Sequence, residues 1–165
     1  VKDNDYFANA VKWAVANGIT AGTSDATFSP ADTCTRAQIL TFIWRAVGSP
    51  KSSAANPFND VNADDYYYYA ALWAYEKGMV SGSRFEGTTP CTRASAVEYL
   101  WKNAGAPESS VNGSFSDVSA NAQYSSAVSW AVQSNVTSGT SETTFSPDEI
   151  CSRGQIVTFL NRAIK

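Results

Sequence analysis

The chain has 165 residues, 44% of them hydrophobic and 16% charged, a composition that supplies one ordinary globular core and is unlike that of a disordered segment. Its net charge of −3, its pI near 4.8 and the lack of any Lys/Arg run leave no electrostatic footprint for a nucleic acid, and no apolar stretch approaches the roughly 18–20 residues of a membrane span. Histidine is absent, which excludes Ser-His-Asp and Cys-His catalysis as well as imidazole-ligated zinc.

The first predicted element is a helix in YFANAVKWAVANG. Phe7, Ala10, Val11 and Ala14 follow the i, i+3, i+4, i+7 pattern, and Gly18 stands where a helix C-terminus accepts left-handed dihedrals. The loop GTSDATF leads through Pro30 to CTRAQ at 34–38 and a second helix whose stripe is Ile39, Ile43, Ala46 and Val47. Gly48–Pro50 stops it, and the Ser/Ala/Asn-rich stretch 51–56 reads as a linker. The same order then recurs twice. Trp13, Trp73 and Trp130 are spaced 60 and 57 apart, and Arg36, Arg93 and Arg153 are spaced 57 and 60 apart. The difference is a loop shortened to GSRF at 82–85 in the middle copy. Tyr67, Ala70, Ala71, Ala74 and Tyr124, Ala127, Val128, Ala131 repeat the first stripe. Ala96, Leu100, Asn103, Ala104 and Ile156, Leu160, Ala163, Ile164 repeat the second, and 108–114 is the second linker. Two short helices bury no core alone, so these units are expected to fold as one all-α domain of three interdependent helix-loop-helix repeats, 1–50, 58–107 and 115–165.

CTRAQ recurs as CTRAS at 91–95 and CSRGQ at 151–155. Thr35 with Gln38, and Ser152 with Gln155, fit a capping box, and Thr92 with Ser95 keeps the cap without the full box. Each arginine then falls at the first helical position, where the positive end of the helix makes a cation unfavourable by roughly 0.3–1 kcal/mol. A guanidinium beside helix N–H donors suits a carboxylate or phosphate. The bland counterpart is an exposed pair with a nearby acid.

Cys34, Cys91 and Cys151 precede the caps, where a buried apolar side chain staples onto Ile39, Ala96 and Ile156. Three thiolates converging on a metal would be symmetric but lack a fourth ligand and any recognised spacing. Trp13, Trp44, Trp73, Trp101 and Trp130 read as core. The run Tyr66–Tyr69 goes right round a helix, which leaves one or two rings exposed and available for stacking on sugars. DNDY and DVNADD lack the order of a calcium loop; Asp64 and Asp65 read as N-terminal helix acids.

With the starts Phe58–Val61 and Phe115–Val118 of the form F-x-D-V, the repeated Trp-Ala pair, the G-(I/M/V)-(T/V)-x-G loop and the T-R-A-type turn, almost the whole chain resembles three tandem S-layer homology modules. The first copy opens at Val1, the equivalent of Val61 and Val118, so we expect an excised fragment whose F-x-D is lost or lies upstream. The resemblance implies repeats packed as a pseudo-three-fold bundle with inter-repeat grooves between protruding prongs. It further implies a non-catalytic anchor of exported bacterial proteins, at the cell surface, holding a secondary cell wall polysaccharide that often bears ketal-linked pyruvate. Arg36, Arg93 and Arg153 would hold the anion, Asp60 and Asp117 would accept sugar hydroxyls, and Thr35, Thr92, Ser152, Gln38 and Gln155 would line the grooves. Asp60 and Asp117 read equally as turn or cap residues. Gln38, Ser95 and Gln155 stand where the family usually has Glu, and Gly154 replaces Ala.

We thus expect no catalysis, no metal, no cofactor and no nucleic-acid or membrane partner. The isolated fragment is expected to be monomeric, with self-assembly belonging to a larger surface protein. The grooves are expected to be unequal. The competing function is a structural or protein-interaction module that has lost glycan binding. Nothing in the spacing singles out the paired carboxylates of a glycosidase.

Overall fold

A computed structural model describes residues 1–109 and 115–165. The second linker therefore lies partly outside the described residues. These residues form six helices and no strand: α1 Ala8–Ala16, α2 Arg36–Ala46, α3 Tyr68–Glu76, α4 Arg93–Asn103, α5 Ser125–Gln133 and α6 Arg153–Ile164. The fold is all-α. Helices of 9 to 12 residues are too short to persist alone in water, so packing must hold them.

Local chemistry sets the helix ends. Gly18, Gly78 and Asn135 follow the first helices at φ 67°, 67° and 56°, as a left-handed C-terminal residue requires. Thr35 and Ser152 close full capping boxes with Gln38 and Gln155, and Thr92 accepts the Ser95 N–H alone. The first helices begin later than their apolar stripe. Phe7, Tyr67 and Tyr124 are their caps, with no side-chain cap bond. Asp64 and Asp65 accordingly lie upstream of α3 rather than in its first turn. The Asp65 carboxylate takes the Asn62 N–H at 2.7 Å, fastening the turn that feeds the helix.

The sequence repeat is not the main packing pair. The first helix of each copy packs on the second helix of the copy before it: α3 on α2, α5 on α4, and α1 on α6. The second helices also meet one another, α2 with α4, α4 with α6 and α2 with α6. Ile39, Leu40, Ile43, Val97, Leu100, Ile156 and Leu160 on these helices are fully buried; each such side chain contributes about 1.5–3 kcal/mol. The stripe stops short of its expected end, since Val47 caps α2 and is 39% exposed.

Where the second helices begin, the cysteines exchange backbone hydrogen bonds in a closed ring. Cys34 N–H donates to Cys151 O at 3.0 Å, Cys91 N–H to Cys34 O at 2.8 Å, and Cys151 N–H to Cys91 O at 2.9 Å. All three side chains are buried and free, and the described residues contain no group of three or more His, Cys, Asp or Glu placed to hold a metal. Burial pushes the Cys34 and Cys151 thiols up to about 12 and raises Cys91 as well, so the reactive thiolate is suppressed at neutral pH. Thiol titration is therefore expected to show all three reacting only as fast as the protein unfolds. Prompt labelling of the native protein would contradict this burial.

Candidate functional site

The N-terminus of each second helix is a junction between copies. The first two helical amides of α2 donate to the middle copy, Arg36 N–H to Thr89 O and Ala37 N–H to Gly87 O, both at 2.9 Å. Those of α4 donate to the third copy, Arg93 N–H to Glu149 O at 2.9 Å and Ala94 N–H to Pro147 O at 3.0 Å. Those of α6 return to the first, Arg153 N–H to Asp32 O at 2.8 Å and Gly154 N–H to Pro30 O at 2.9 Å. The third amide goes to the cap hydroxyl of Thr35, Thr92 or Ser152. The donors that would make a helix N-terminus an anion site are thus taken by the chain's own carbonyls. Gly154 departs from Ala for a steric reason: a Cβ there would stand 3.0 Å from the Phe7 ring and 3.2 Å from Pro30 O.

The arginines follow their amides across the junction. Arg93 Nε donates to Phe145 O at 2.8 Å and its Nη2 reaches Thr137 Oγ1 at 3.4 Å. Arg153 Nε donates to Phe28 O at 3.0 Å. Each guanidinium lies over two rings, Phe145 and Phe159 for Arg93, Phe28 and Phe42 for Arg153, at 4.8–5.6 Å from the centroids. Both residues are 3% exposed, and neither has a carboxylate within ion-pair distance among the described residues. We expected cations left without a partner at exposed helix ends. The structure instead buries two of them as pins that fasten each copy to the aromatic loop of the next, and the Nη2 of Arg153 is buried without a hydrogen-bond partner.

Arg36 differs. Its Nη1 also reaches the loop carbonyl, Phe85 O at 2.6 Å, but its side chain is 26% exposed and stands 3.7 Å from Glu86. Two local changes accompany this. Val80 occupies the position of the Thr137 hydroxyl, and the loop before Phe85 is the shortened GSRF. Arg84 approaches Glu86 from the other side at 3.6 Å. A cleft of about 420 Å³ opens here, lined by Asp60, Tyr67, Arg84, Glu86, Thr88 and Thr89, with Tyr67 stacked on Phe85 at 5.4 Å. Glu86 and Arg84 were not singled out from sequence, although the shortened loop marked the place, and Tyr67 was read there as part of the apolar stripe and of the Tyr66–Tyr69 run.

The two F-x-D aspartates hold the same loops from the opposite side. Asp60 accepts the Phe85 and Glu86 N–H groups at 2.7 and 2.9 Å, and Asp117 accepts those of Phe145 and Ser146 at 2.9 and 2.7 Å. Glu86 and Ser146 have φ of 53° and 57°, so each carboxylate secures a left-handed turn. Arg36 and Asp60 thus meet at one loop, and Arg93 and Asp117 at another. Thr35, Gln38, Thr92, Ser152 and Gln155 stay half-buried at the junctions.

Two predictions follow from this geometry. Arg93→Gln or Arg153→Gln should cost about 2–3 kcal/mol, the scale of a buried charge-assisted bond, whereas Arg36→Gln should cost under about 1 kcal/mol; denaturant melts of the three variants check the contrast, and equal costs would contradict it. The second concerns acid. Backbone hydrogen bonds, led by those from Phe85 and Phe145, hold the Asp60 and Asp117 carboxyls below the usual range. Their stabilisation is complete above the unfolded pKa of about 3.9 and is lost as pH falls through the lower folded value. Melting temperature should therefore drop below about pH 4 less steeply in Asp117→Asn than in the parent, and parallel profiles would contradict the assignment.

Against known proteins, a model of the S-layer homology domain family matches residues 1–40 and 114–157, just over half of the chain. The chain is 32% identical over 118 residues to an endoglucanase of Bacillus sp. (strain KSM-635), covering 66% of this chain and 12% of that protein. It is 31% identical over 102 residues to the surface-layer 125 kDa protein of Lysinibacillus sphaericus, covering 60% and 9%. To an amylopullulanase of Thermoanaerobacterium thermosulfurigenes it is 26% identical over 168 residues, covering 94% and 9%. The chain therefore spans about a tenth of the length of these relatives. With the cyclic repeat, the capped T-R-A-type turns and the F-x-D loops in place, the chain belongs to the S-layer homology domain family, typically a cell-wall anchoring module of bacterial surface proteins.

Proposed function

We propose that the three copies, 1–50, 58–107 and 115–165, act as one extracellular anchoring domain that holds an acidic secondary cell wall polysaccharide in inter-repeat grooves, with the groove at Arg36 as the principal site. The observation that carries this reading is the open cleft lined by Asp60, Arg84, Glu86, Thr88 and Thr89, whose Glu86 stands 3.7 Å from the partly exposed guanidinium of Arg36. Thr35 and Gln38, which close the capping box at the start of α2 on either side of Arg36, would add hydroxyl and amide contacts. Arg93 and Arg153, with Asp117, Thr92, Ser152 and Gln155, would serve chiefly to hold the other junctions closed. A carboxylate such as that of a ketal-linked pyruvate would displace Glu86 and take the fork of Arg36.

A second reading has its own support. The saturated helix amides and the buried Arg93 and Arg153 are what a purely structural or protein-interaction scaffold would keep. Both readings are non-catalytic, and the hydrolase names of some relatives describe proteins of which this chain matches about a tenth.

Purified cell walls, with and without their secondary polysaccharide, separate the two. The domain should sediment only with walls that retain it, and calorimetry on the released polymer should give about one strong site per chain. Arg36→Gln should lower affinity by roughly tenfold to a hundredfold, the equivalent of one charge-assisted hydrogen bond, without loss of the fold. Equal sedimentation with stripped walls, or an Arg36→Gln variant that binds normally, favours the scaffold.

A further inference from the structure

The end of α2 carries a second cleft, of about 460 Å³, lined by Trp44, Ser49, Pro50, Lys51, Ser52 and Tyr69. It is separate in its lining from the Arg36 groove and largely apolar. Trp44 is half-buried, and its indole N–H donates to Pro50 O at 2.9 Å, which leaves the ring face as its contribution to the cleft. Tyr69 is 64% exposed. Its ring is braced edge-on by Tyr68 at 5.2 Å and 80°, and Tyr68 packs against the core. Lys51 is exposed and makes no ion pair among the described residues.

The chain contains its own comparison. At the next junction Trp101 makes the same bond, to Pro107 O at 2.9 Å, so the framework is repeated. There the counterpart of Tyr69 is Ser126 and that of Lys51 is Glu108. The fold needs only the Trp–Pro bond. The aromatic ring and the cation are present at the first junction and absent from the second, on a chain whose net charge is −3.

We propose that this cleft binds one acidic sugar ring of a polysaccharide, with the apolar ring face on Tyr69 and Trp44 and the carboxylate on Lys51. An aromatic face offers large apolar area at low conformational cost, which suits the C–H face of a pyranose, while Ser49 lines the cleft and Ser52 holds the Ala54 N–H at 3.1 Å. A lone cation among apolar groups on an acidic chain selects an anion locally rather than steering it from a distance. The inference rests on the polysaccharide reading and adds a contact point to it.

The test uses the whole 165-residue domain and polysaccharide released from Lysinibacillus sphaericus walls, followed by calorimetry and by the indole N–H resonances of the five tryptophans. The polymer should shift the Trp44 indole signal. Tyr69→Ser with Lys51→Glu, which copies the second junction, should abolish that shift and weaken binding by about tenfold with the melting temperature unchanged, because both side chains are exposed. Ser126→Tyr with Glu108→Lys should make the Trp101 signal respond. If the parent binds and Arg36→Gln weakens it, yet the Tyr69/Lys51 variant binds like the parent and Trp44 stays still, the cleft is not a site and the groove reading survives. Absence of binding by the parent overturns both. Equal affinity for carboxyl-reduced polymer overturns the assignment of an acidic ring.

Discussion

Everything in this molecule depends on one exchange, in which each second helix gives its first two N–H groups to carbonyls of the next copy. A helix leaves its first donors without internal partners, and a buried donor left unmade costs about 1–3 kcal/mol. Here the partners come from sequence far away, and the exchange runs from first copy to second, second to third, and third back to first. The ring of cysteine backbone bonds closes the same circuit. Because first helices pack on the preceding copy, removing one copy would strip its neighbours of an apolar face and of helix-end hydrogen bonds together.

The arginine at the start of each second helix makes sense only within that exchange. Judged by the helix dipole it is misplaced. Once the neighbour's carbonyls approach, the site is no longer a bare positive end: all three guanidinium groups meet a loop carbonyl oxygen, and those of Arg93 and Arg153 also meet two ring faces. Charge is tolerated in the interior without a carboxylate because its hydrogen bonds and the ring quadrupoles replace part of its hydration. The aspartates complete the clamp, gripping from outside the loops that the arginines grip from within.

Departure from the repeat is concentrated at the first junction. Val80 replaces a threonine hydroxyl, the loop is shortened, Glu86 replaces a serine, and Tyr69 and Lys51 stand where the second junction has Ser126 and Glu108. Two clefts border this region, while the corresponding arginines elsewhere are sealed. Three-fold repetition supplies the scaffold, and drift in the middle copy leaves Arg36 the least buried of the three arginines.

Features that depend on near neighbours along the chain were legible before folding. The six helices, the left-handed residues Gly18, Gly78 and Asn135, the caps at Thr35, Thr92 and Ser152 and the burial of the cysteines all follow from spacing and residue type, because their partners lie within a few positions. The F-x-D and T-R-A-type turns marked the family for the same reason, being short motifs repeated at constant offsets. Tertiary structure alone decided which helix packs on which, that Asp60 and Asp117 fasten loops 25 to 29 residues away, and that Arg153 reaches across 125 residues to Phe28. A cation at a helix start reads identically whether it will meet solvent, a ligand or another copy's carbonyl. What settles the matter is the dielectric and the acceptor that the rest of the chain brings, and those exist only once the cycle has closed.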